Sequence, residues 1–273
     1  MRKSICLFNL IGLVAAGAFA ASGDQEALTR ARQLQVEFRE GNMQVVGPLV
    51  KGLESAVAKS SGNADLWEAL GHAYMSQQGS MYQSPDPAAL IAVGERARDA
   101  YARGLALDPK NAMLLVSHGM AGMTIASFKQ DGPGLMASVE EMNAAVRQAP
   151  KSTRVRLTRG FTIIHLPVGM RDSAAVTEDL KFVLEVAPGG RPEDVLHVLL
   201  GDVYAETGAL DEARREYSQV SGASRFAAEQ AKLRMEALKT GGIPAESINL
   251  VRAGTGTRCA MCHAPGTDEP RTE

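Results

Sequence analysis

Aromatic residues are scarce in this sequence, and positive charge is not in excess. Phe, Trp and Tyr make up 5% of the 273 residues, whereas Ala, Gly and Leu are abundant. This composition suits closely packed helices better than a β-sheet, because aromatic and β-branched side chains favour strands. Acidic residues outnumber basic ones, 31 to 29, so the charge gives no indication of a nucleic-acid interface.

The sequence also lacks the patterns that are typical of enzymes. It contains no glycine-rich phosphate loop, no nucleophile with a matching base and no pair of carboxylates in a convincing setting. We therefore expect a protein that recognises a partner and is not an enzyme.

A long apolar segment is missing as well. The apolar run at residues 5–19 is too short and too poorly flanked for a good membrane span. It follows a positively charged start and ends at "AFA" (18–20), the small-x-small pattern of a cleavage site. Residues 1–20 are therefore predicted to be a signal peptide. The mature chain is expected to begin at Ala21, to be periplasmic or otherwise exported, and to have no stable membrane span.

Cysteine is nearly absent from the predicted mature chain. Of the three cysteines, Cys6 lies early in the signal segment, at the wrong place for a lipoprotein cysteine. The remaining two are Cys259 and Cys262. An exported protein in an oxidising compartment does not leave such a pair as ordinary buried thiols without a reason, so the pair is expected to have a chemical role.

The residues Cys259, Cys262 and His263 form the pattern CxxCH, which is typical of covalent c-type haem attachment. In this chemistry the two thiols add to the two vinyl groups, and the adjacent histidine coordinates the iron as the proximal ligand. Ten residues follow the motif here, and the rest of the cytochrome c pattern is missing. The sequence therefore predicts haem c at the C-terminal end, without a distal methionine after it.

Two alternative roles for the cysteine pair stay open. The pair is also consistent with a disulfide or a redox-active dithiol, although dithiol oxidoreductases normally carry CxxC at a helix start in a thioredoxin-like fold. A metal site is the second possibility. Zinc would lack a second ligand pair nearby, whereas Cu(I) accepts soft cysteine and methionine ligands.

The stretch "LWEALGHAY" is the most informative part of the remaining chain. Its pattern W-x2-L-G-x2-Y is typical of the first helix of a tetratricopeptide repeat and is formed by Trp67, Leu70, Gly71 and Tyr74. Positions three and four apart share one helix face, so the large residues fill the groove against a second helix. That second helix follows in "ARDAYARGLALDPKN", with Ala97, Tyr101, Gly104 and a terminating Pro109.

Similar units recur along the chain. The glycine position is occupied again in "LLVSHGMAGM", "RLTRGFTII" and "HVLLGDVYAETGALDEARREYSQV", by Gly119, Gly160 and Gly201. The chain thus resembles the tetratricopeptide repeat (TPR) family from about residue 62 to 222. The first and last copies match most specifically, whereas the middle copies carry His118, Arg156 and Arg159 in place of apolar residues. The resemblance implies a right-handed superhelix of helix pairs that presents an extended binding surface.

The predicted fold is all-α, an α-solenoid of TPR-like helix pairs with a flexible C-terminal tail. After the signal peptide, the predicted parts are a TPR-like helical solenoid at 24–222, a capping helix at 223–240, and a linker with the CxxCH tail at 241–273. In the first clear repeat, "QQGSMYQSPDPAAL" (77–90) predicts a loop of about fourteen extra residues, since it is rich in turn formers.

The resemblance also predicts which residues line the concave wall, because this wall is the free face of each first helix. Spacing assigns to it Asp65, Glu68, His72, Met75 and Ser76; Met113, Val116, Met120, Met123 and Thr124; Arg154, Leu157, Phe161, Ile164 and His165; and Val195, Val198, Asp202, Ala205 and Glu206. Its centre is rich in methionine, which adapts to an irregular surface. We expect a protein partner to bind there.

Plainer interpretations of the same residues remain. A methionine stripe at helical spacing is also typical of a core. Lone histidines such as His72 and His165 are commonly surface or satisfied core residues. A run of basic residues is commonly a solvated face, which here would consist of Lys151, Arg154, Arg156 and Arg159.

A haem at the tail would need cover, because "APGTDEPRTE" has no large apolar residue. Either the concave wall or a partner protein is expected to provide that cover. The candidate distal iron ligands on the wall are Met120, Met123, His72 and His165.

Taken together, the sequence predicts an exported TPR-like protein that binds a partner and carries a covalent haem, as an electron-transfer or assembly component. The alternative is a TPR scaffold or ligand-binding module without haem, whose CxxC is a disulfide or a Cu(I) site.

Overall fold

The computed structural model describes residues 23–38, 41–81, 86–166, 168–186 and 190–240. These residues form helices joined by turns, and no strand occurs among them. The helices are α1 (23–38), α2 (Val46–Lys59), α3 (Ala64–Ser80), α4 (Pro87–Leu107), α5 (Ala112–Lys129), α6 (Gly132–Gln148), α7 (Thr153–Ile163), α8 (Ser173–Val186), α9 (Gly190–Glu206), α10 (Leu210–Gln219) and α11 (Arg225–Lys239).

Polar residues determine where most of these helices begin. At seven starts a side-chain oxygen accepts a hydrogen bond from a backbone N–H of the first turn, which satisfies a donor that the helix itself leaves open. These N-cap residues are Asn63, Asp86, Asn111, Asp131, Ser152, Asp172 and Ser224. The turns after α9 and α10 contain Gly208 and Gly222 at φ +83° and +89°, a conformation that other residues rarely adopt.

Successive helices pack as antiparallel pairs, and each pair packs on the next. The pairs are α3 with α4, α5 with α6, α7 with α8, and α9 with α10, while α11 packs on α9 and α10. The chain is therefore an all-α solenoid of TPR-like helix pairs, as predicted. The predicted signal peptide and the tail at 241–273 lie outside the described residues, and the domain boundaries stay a prediction.

Helix α5 lies at the centre of the solenoid and joins its two hydrophobic cores. Leu114 and Ala121 belong to the core of α1–α5, whereas Val116 and Met123 belong to the core that continues to α11. Since a helix that is buried on several sides shows little amphipathic pattern, α5 carries apolar residues around most of its circumference.

The predicted loop at 77–90 is mostly helix, so this expectation was wrong. Helix α3 continues to Ser80, and α4 begins at Pro87. Gln78 is 2% exposed, and its Nε2 donates to the carbonyl oxygen of Leu90 at 2.8 Å. This buried hydrogen bond joins the extended ends of both helices, whereas the turn-forming composition alone favoured a loop.

In the first and last clear repeats, the shared register brings a glycine of the first helix against the second helix. A Cβ at Gly71 would lie 2.6 Å from Cδ1 of Tyr101, and one at Gly201 would lie 2.7 Å from Cδ1 of Tyr217. Real Cβ atoms do not approach so closely, so glycine is required for the tyrosine ring to fit. These two repeats therefore share one packing arrangement.

None of the described helices combines the length and the apolar character that crossing a membrane requires.

Candidate functional site: the concave stripe

A line of partly exposed side chains runs across α3, α5 and α7. It comprises Glu68, His72, Met75 and Ser76 on α3, Met113, Met120 and Thr124 on α5, and Leu157 and Phe161 on α7 with His165 just after it. We call these residues the concave stripe. The ion pair between Glu68 and Arg154, with Oε1 and Nη2 at 3.6 Å, reaches from α3 to α7 past α5, so these residues lie on one side of the three helices.

Part of the predicted concave wall is buried instead. On α5 and α7, Val116, Met123 and Ile164 are at most 6% exposed and belong to the core. Val116 and Met123 are seven residues apart and therefore share a face, and that face packs against neighbouring helices. Met113 and Met120 share the adjacent face, which stays partly exposed.

The predicted wall on α9 is also buried. Val195, Val198, Asp202 and Ala205 are at most 7% exposed, so that only Glu206 of the five predicted positions is partly exposed. The reason is α11, which packs on α9 and whose Arg234 donates from Nε to Oδ1 of Asp202 at 2.6 Å. The concave stripe therefore ends at α7.

His72 is tied into the packing of its own helix pair. Its Nδ1 lies 2.9 Å from the hydroxyl of Tyr101, with the rings in an edge contact at 5.4 Å between centroids. Its Nε2 is buried and lies 3.5 Å from Oε1 of Glu68. Burial alone would raise the pKa of Glu68, but the hydrogen bond and charge of His72 and the charge of Arg154 together lower it.

The equivalent position in the last repeat is Asp202. It accepts a hydrogen bond from the Tyr217 hydroxyl at 2.7 Å in addition to the one from Arg234. Burial raises the pKa of Asp202 to about 6, although the Arg234 guanidinium acts in the opposite direction. The tyrosine hydroxyl of the second helix thus finds its acceptor at the same register in both repeats.

The predicted basic face is largely an internal ion cluster. Arg159 is 8% exposed and donates to both carboxylate oxygens of Asp179, at 2.6 and 2.8 Å. Arg156 donates to Asp179 at 3.0 Å and to the carbonyl of Pro150 at 2.6 Å. Of the four residues that the solvated-face interpretation named, only Lys151 and Arg154 are exposed, so that interpretation is wrong for Arg156 and Arg159.

This cluster occupies the place of the tyrosine in the first and last repeats. Gly160 faces Asp179, whose Cβ would lie 3.1 Å from a Cβ at the glycine. Burial raises the pKa of Asp179 despite the two guanidinium groups. Sequence inspection flagged both arginines but missed Asp179, because the turn between α7 and α8 obscures the register of the second helix.

His118, the third polar replacement, is also a structural residue. Its Nδ1 lies 2.7 Å from Oε2 of Glu141, and Nε of Arg98 donates to its Nε2 at 3.3 Å. With Nε2 accepting from Arg98, Nδ1 is the ring nitrogen that donates to Glu141. His118 thereby connects α4, α5 and α6.

His165 differs from the remaining histidines on the described part of the chain. Its Nε2, like that of His72, is buried without a hydrogen-bond partner among the described residues, but no hydrogen bond of its Nδ1 is seen there either, and its ring makes an edge contact with Phe161 at 5.5 Å between centroids. Burial lowers the pKa of His165 to about 4, and the charge of Arg171 acts in the same direction. The side chain is therefore a neutral imidazole at neutral pH.

The four candidate distal ligands thus have different environments. His165 and Met120 lie on the concave stripe and are partly exposed, His72 lies there but is bound by Tyr101, and Met123 is in the core. The predicted haem-attachment residues lie outside the described residues, namely Cys259, Cys262 and His263.

Comparison with known proteins gives a likeness of fold. No known family profile matches the chain, and no curated protein matches it either. Among solved structures, it is similar to TTC0263, a thermophilic TPR protein of Thermus thermophilus, at 15% identity and a TM-score of 0.56, over 79% of this chain and 99% of that chain. MamA of AMB-1 is similar at 15% identity and a TM-score of 0.43, over 88% of this chain and 100% of that one.

Proposed function

We propose that this chain is an exported, non-enzymatic TPR-like protein that binds a protein partner through the concave stripe and carries a covalent haem c. The haem is held by Cys259 and Cys262, and His263 is the proximal iron ligand. The observation that carries the haem proposal is the CxxCH motif, which contains every cysteine of the predicted mature chain.

The donor set fits this chemistry. Each thiol adds across one vinyl double bond of the haem, so that a C–S bond forms and the thiol hydrogen moves to the neighbouring vinyl carbon. The addition consumes no oxidant or reductant, provided that both cysteines are reduced. A two-residue spacer lets both sulfurs reach one porphyrin, and the next residue supplies an imidazole to the iron.

The concave stripe supports the recognition half of the proposal. Its central side chains, Met113, Met120, Leu157 and Phe161, are apolar but only partly buried. Methionine adapts to irregular surfaces, and an aromatic ring offers a large contact area. A charged rim with Glu68 and Arg154 at one end is consistent with an interface that has an apolar centre and a polar edge.

The role in the cell follows from joining these two parts. In one case, a haem held on a repeat protein outside the cytoplasm transfers electrons to the bound partner. In the other, the repeat protein helps to assemble the partner into a larger complex. We propose this class of role, an electron-transfer or assembly component.

The pyridine haemochrome spectrum tests the haem directly. The full-length protein is produced with its signal segment in cells that contain the c-type haem-attachment machinery. We expect the spectrum of a two-thioether haem and an intact mass raised by one haem. The matched control is Cys259→Ala with Cys262→Ala, which should lose both signals and keep its helical circular dichroism.

Three outcomes would contradict the proposal. They are free thiols without haem, a disulfide between Cys259 and Cys262, and bound Cu(I) in the purified protein. Retention of residues 1–20 in the mature protein would contradict export.

A further inference from the structure

We propose that the last helix pair carries a proton-dependent latch, formed by His197 and Glu193 on α9 and Glu216 on α10. The latch is closed while the imidazole of His197 is positively charged, and it loosens when that charge is lost. The inference does not depend on the proposed haem, because all three residues belong to the described helices α9 and α10.

Both ring nitrogens of His197 face a carboxylate. Nδ1 lies 2.8 Å from Oε2 of Glu216, across the interface between α9 and α10. Nε2 lies 3.7 Å from Oε1 of Glu193, one turn earlier on α9. A neutral imidazole has one N–H and one lone pair, so it donates to one carboxylate and turns its lone pair toward the other. The charged imidazolium has an N–H on each side and therefore suits both carboxylates.

The histidine that joins α5 to α6 is arranged differently. Nδ1 of His118 also faces a carboxylate, that of Glu141, but its Nε2 accepts a hydrogen bond from the Arg98 guanidinium. The arginine already supplies a positive charge to that pair. The two groups that flank His197 are both acidic, so there the imidazole itself supplies the positive charge.

The latch is partly shielded from water. The side chains of His197, Glu216 and Glu193 are 13%, 20% and 33% exposed. Attraction between charges is screened less at such sites than between fully exposed side chains. The imidazolium therefore contributes more to holding α10 against α9 than a surface ion pair would.

The other helices that pack on α9 bring their own charged groups. On α8, Lys181 lies near Glu216 and Glu185 and has its ammonium over the Tyr204 ring, 5.4 Å from the ring centroid. Its position against the ring keeps this lysine from replacing the imidazolium between the two carboxylates of the latch.

The cation that α11 brings to α9 is Arg234. It is paired with Asp202, further along α9 than the latch. The charges that act on the imidazole of His197 are those of Glu216 and Glu193, so the latch responds to its own three residues.

The pKa of His197 gives the direction of the response. The hydrogen bond with Glu216 raises this pKa above its ordinary value of 6.5, burial acts against the rise, and the charges of Glu216 and Glu193 support it. The latch therefore contributes its full stability below pH 6.5, where the imidazole is charged in the folded and the unfolded chain. This contribution is lost as the pH rises through the folded-state value.

Loosening of the latch should extend to the end of the solenoid. Helix α11 packs on both α9 and α10, so it loses part of its support when α10 moves away from α9. Acid therefore favours the closed form of the last pair with its capping helix, and alkali favours opening of α10 and α11.

The titration of His197 is the first test. NMR spectra of the full-length protein follow the imidazole Cε1 proton from about pH 5 to about pH 9, with EDTA present so that no metal ion takes the place of the proton. His197→Gln identifies the signal by its absence. We expect a pKa above 6.5 in the wild type. Glu193→Gln should lower it, because this variant lacks the carboxylate that faces Nε2.

Hydrogen exchange with mass spectrometry is the second test, because it measures how often α10 opens. After correction for the intrinsic exchange rate, the opening constant of α10 should rise with pH in the wild type. The rise should be about tenfold for each whole pH unit by which the measured pKa of His197 exceeds its ordinary value. His197→Gln should show no such rise, since glutamine does not titrate.

Two further variants make this test specific. His118→Gln should keep the wild-type pH dependence of α10, because Arg98 supplies the charge in its own helix pair. Glu193→Gln changes a partly exposed side chain at the edge of the latch and should reduce the rise. It therefore carries the test if His197→Gln does not fold, and circular dichroism reports folding in each case.

Two results would overturn the inference. One is a pKa of His197 at or below 6.5 in the folded wild type. The other is an opening constant of α10 that rises equally with pH in the wild type and in Glu193→Gln, which would assign the response to another group. Neither result affects the haemochrome test, so the latch and the proposed function fail separately.

Discussion

The first and last clear repeats, α3–α4 and α9–α10, are built differently from the α7–α8 pair. In the α3–α4 and α9–α10 pairs, a glycine faces a buried tyrosine, Tyr101 or Tyr217. In the α7–α8 pair, Gly160 faces Asp179, and two arginines from α7 surround that carboxylate. The position that faces the glycine can therefore hold either an aromatic ring or an ion cluster between the two helices.

The two fillings respond differently to change. A buried tyrosine ring stabilises the helix pair by apolar burial and close packing. Removing its hydroxyl should therefore cost less stability than filling the space that the ring occupies. A buried ion cluster stabilises little on balance, but removing one member leaves the others uncompensated. Four predictions, from the largest expected effect to the smallest, test this difference.

The ion cluster should be the most sensitive point of the solenoid. Asp179→Ala leaves Arg156 and Arg159 buried without their shared carboxylate, which should cost about 4 kcal/mol. Urea denaturation monitored by circular dichroism gives the free energy of unfolding.

The matched control replaces the whole cluster by apolar residues, Arg156→Met, Asp179→Leu and Arg159→Met together. This triple variant should be far closer to the wild type, because no charge is left buried. If it is as unstable as Asp179→Ala alone, the charges do not explain the sensitivity.

A charged acceptor in the last repeat should make stability depend on pH. The pKa of Asp202 is about 6 in the folded chain, against 3.8 as its ordinary value. As the pH falls from above 6 to below 4, the folded state takes up the proton before the unfolded state does. Protonation of Asp202 should therefore raise the free energy of unfolding by about 3 kcal/mol over this range.

The comparison of wild type with Asp202→Asn isolates this contribution from the remaining titratable groups. The difference in unfolding free energy, wild type minus variant, should grow as the pH falls through this window. A difference that shrinks instead would mean that Arg234 outweighs burial and holds the pKa of Asp202 below its ordinary value.

Replacing the glycine by alanine should lower stability in the α3–α4 pair but have little effect in the α7–α8 pair. Gly71→Ala forces the buried Tyr101 ring to move, and overpacking of this kind costs about 1–3 kcal/mol. The higher helix propensity of alanine returns about 1 kcal/mol, so we expect a net loss of up to about 2 kcal/mol in urea denaturation.

Gly160→Ala is the control for that prediction. Its Cβ would meet Asp179 at 3.1 Å and Leu180 at 3.6 Å, so it should stay within about 1 kcal/mol of the wild type. Equal losses of stability in Gly71→Ala and Gly160→Ala would show that the ring and the ion cluster constrain the glycine position equally.

The smallest effect concerns the tyrosine hydroxyls. Tyr101→Phe removes a hydrogen bond to the ring nitrogen of His72 and should cost about 1 kcal/mol. Tyr217→Phe removes one to the Asp202 carboxyl and should cost about 2 kcal/mol. Thermal and urea denaturation at pH 7.5 measure the stability loss of each variant. A larger loss in Tyr101→Phe than in Tyr217→Phe would show that the charge of the acceptor does not determine the cost.

Much of the fold was predictable because the repeat pattern is local. The spacing of Trp67, Leu70, Gly71 and Tyr74 specifies a helix face and a close approach within nine residues. The same spacing around Gly201 predicted the last pair. N-cap residues such as Asn63 and Asn111, directly before apolar runs, agree with the helix starts that the structure has.

The candidate site was harder to predict because burial depends on distant helices. Nothing near Asp202 in the sequence shows that Arg234, 32 residues later, reaches it. A one-residue step along α5 separates buried Met123 from partly exposed Thr124. The ring that makes Gly71 necessary lies 30 positions away, beyond an insertion of irregular composition.

The ion pair between Glu68 and Arg154 has a mechanical consequence. A solenoid can bend along its length, because most of its contacts join neighbouring repeats. The Glu68–Arg154 pair bridges repeats one and three, so separating these two helices on this side would have to break it. Because the Arg154 side chain is 59% exposed, the pair is weak and is screened by salt. Added salt should therefore remove most of the resistance that this pair offers to bending between the first and third repeats.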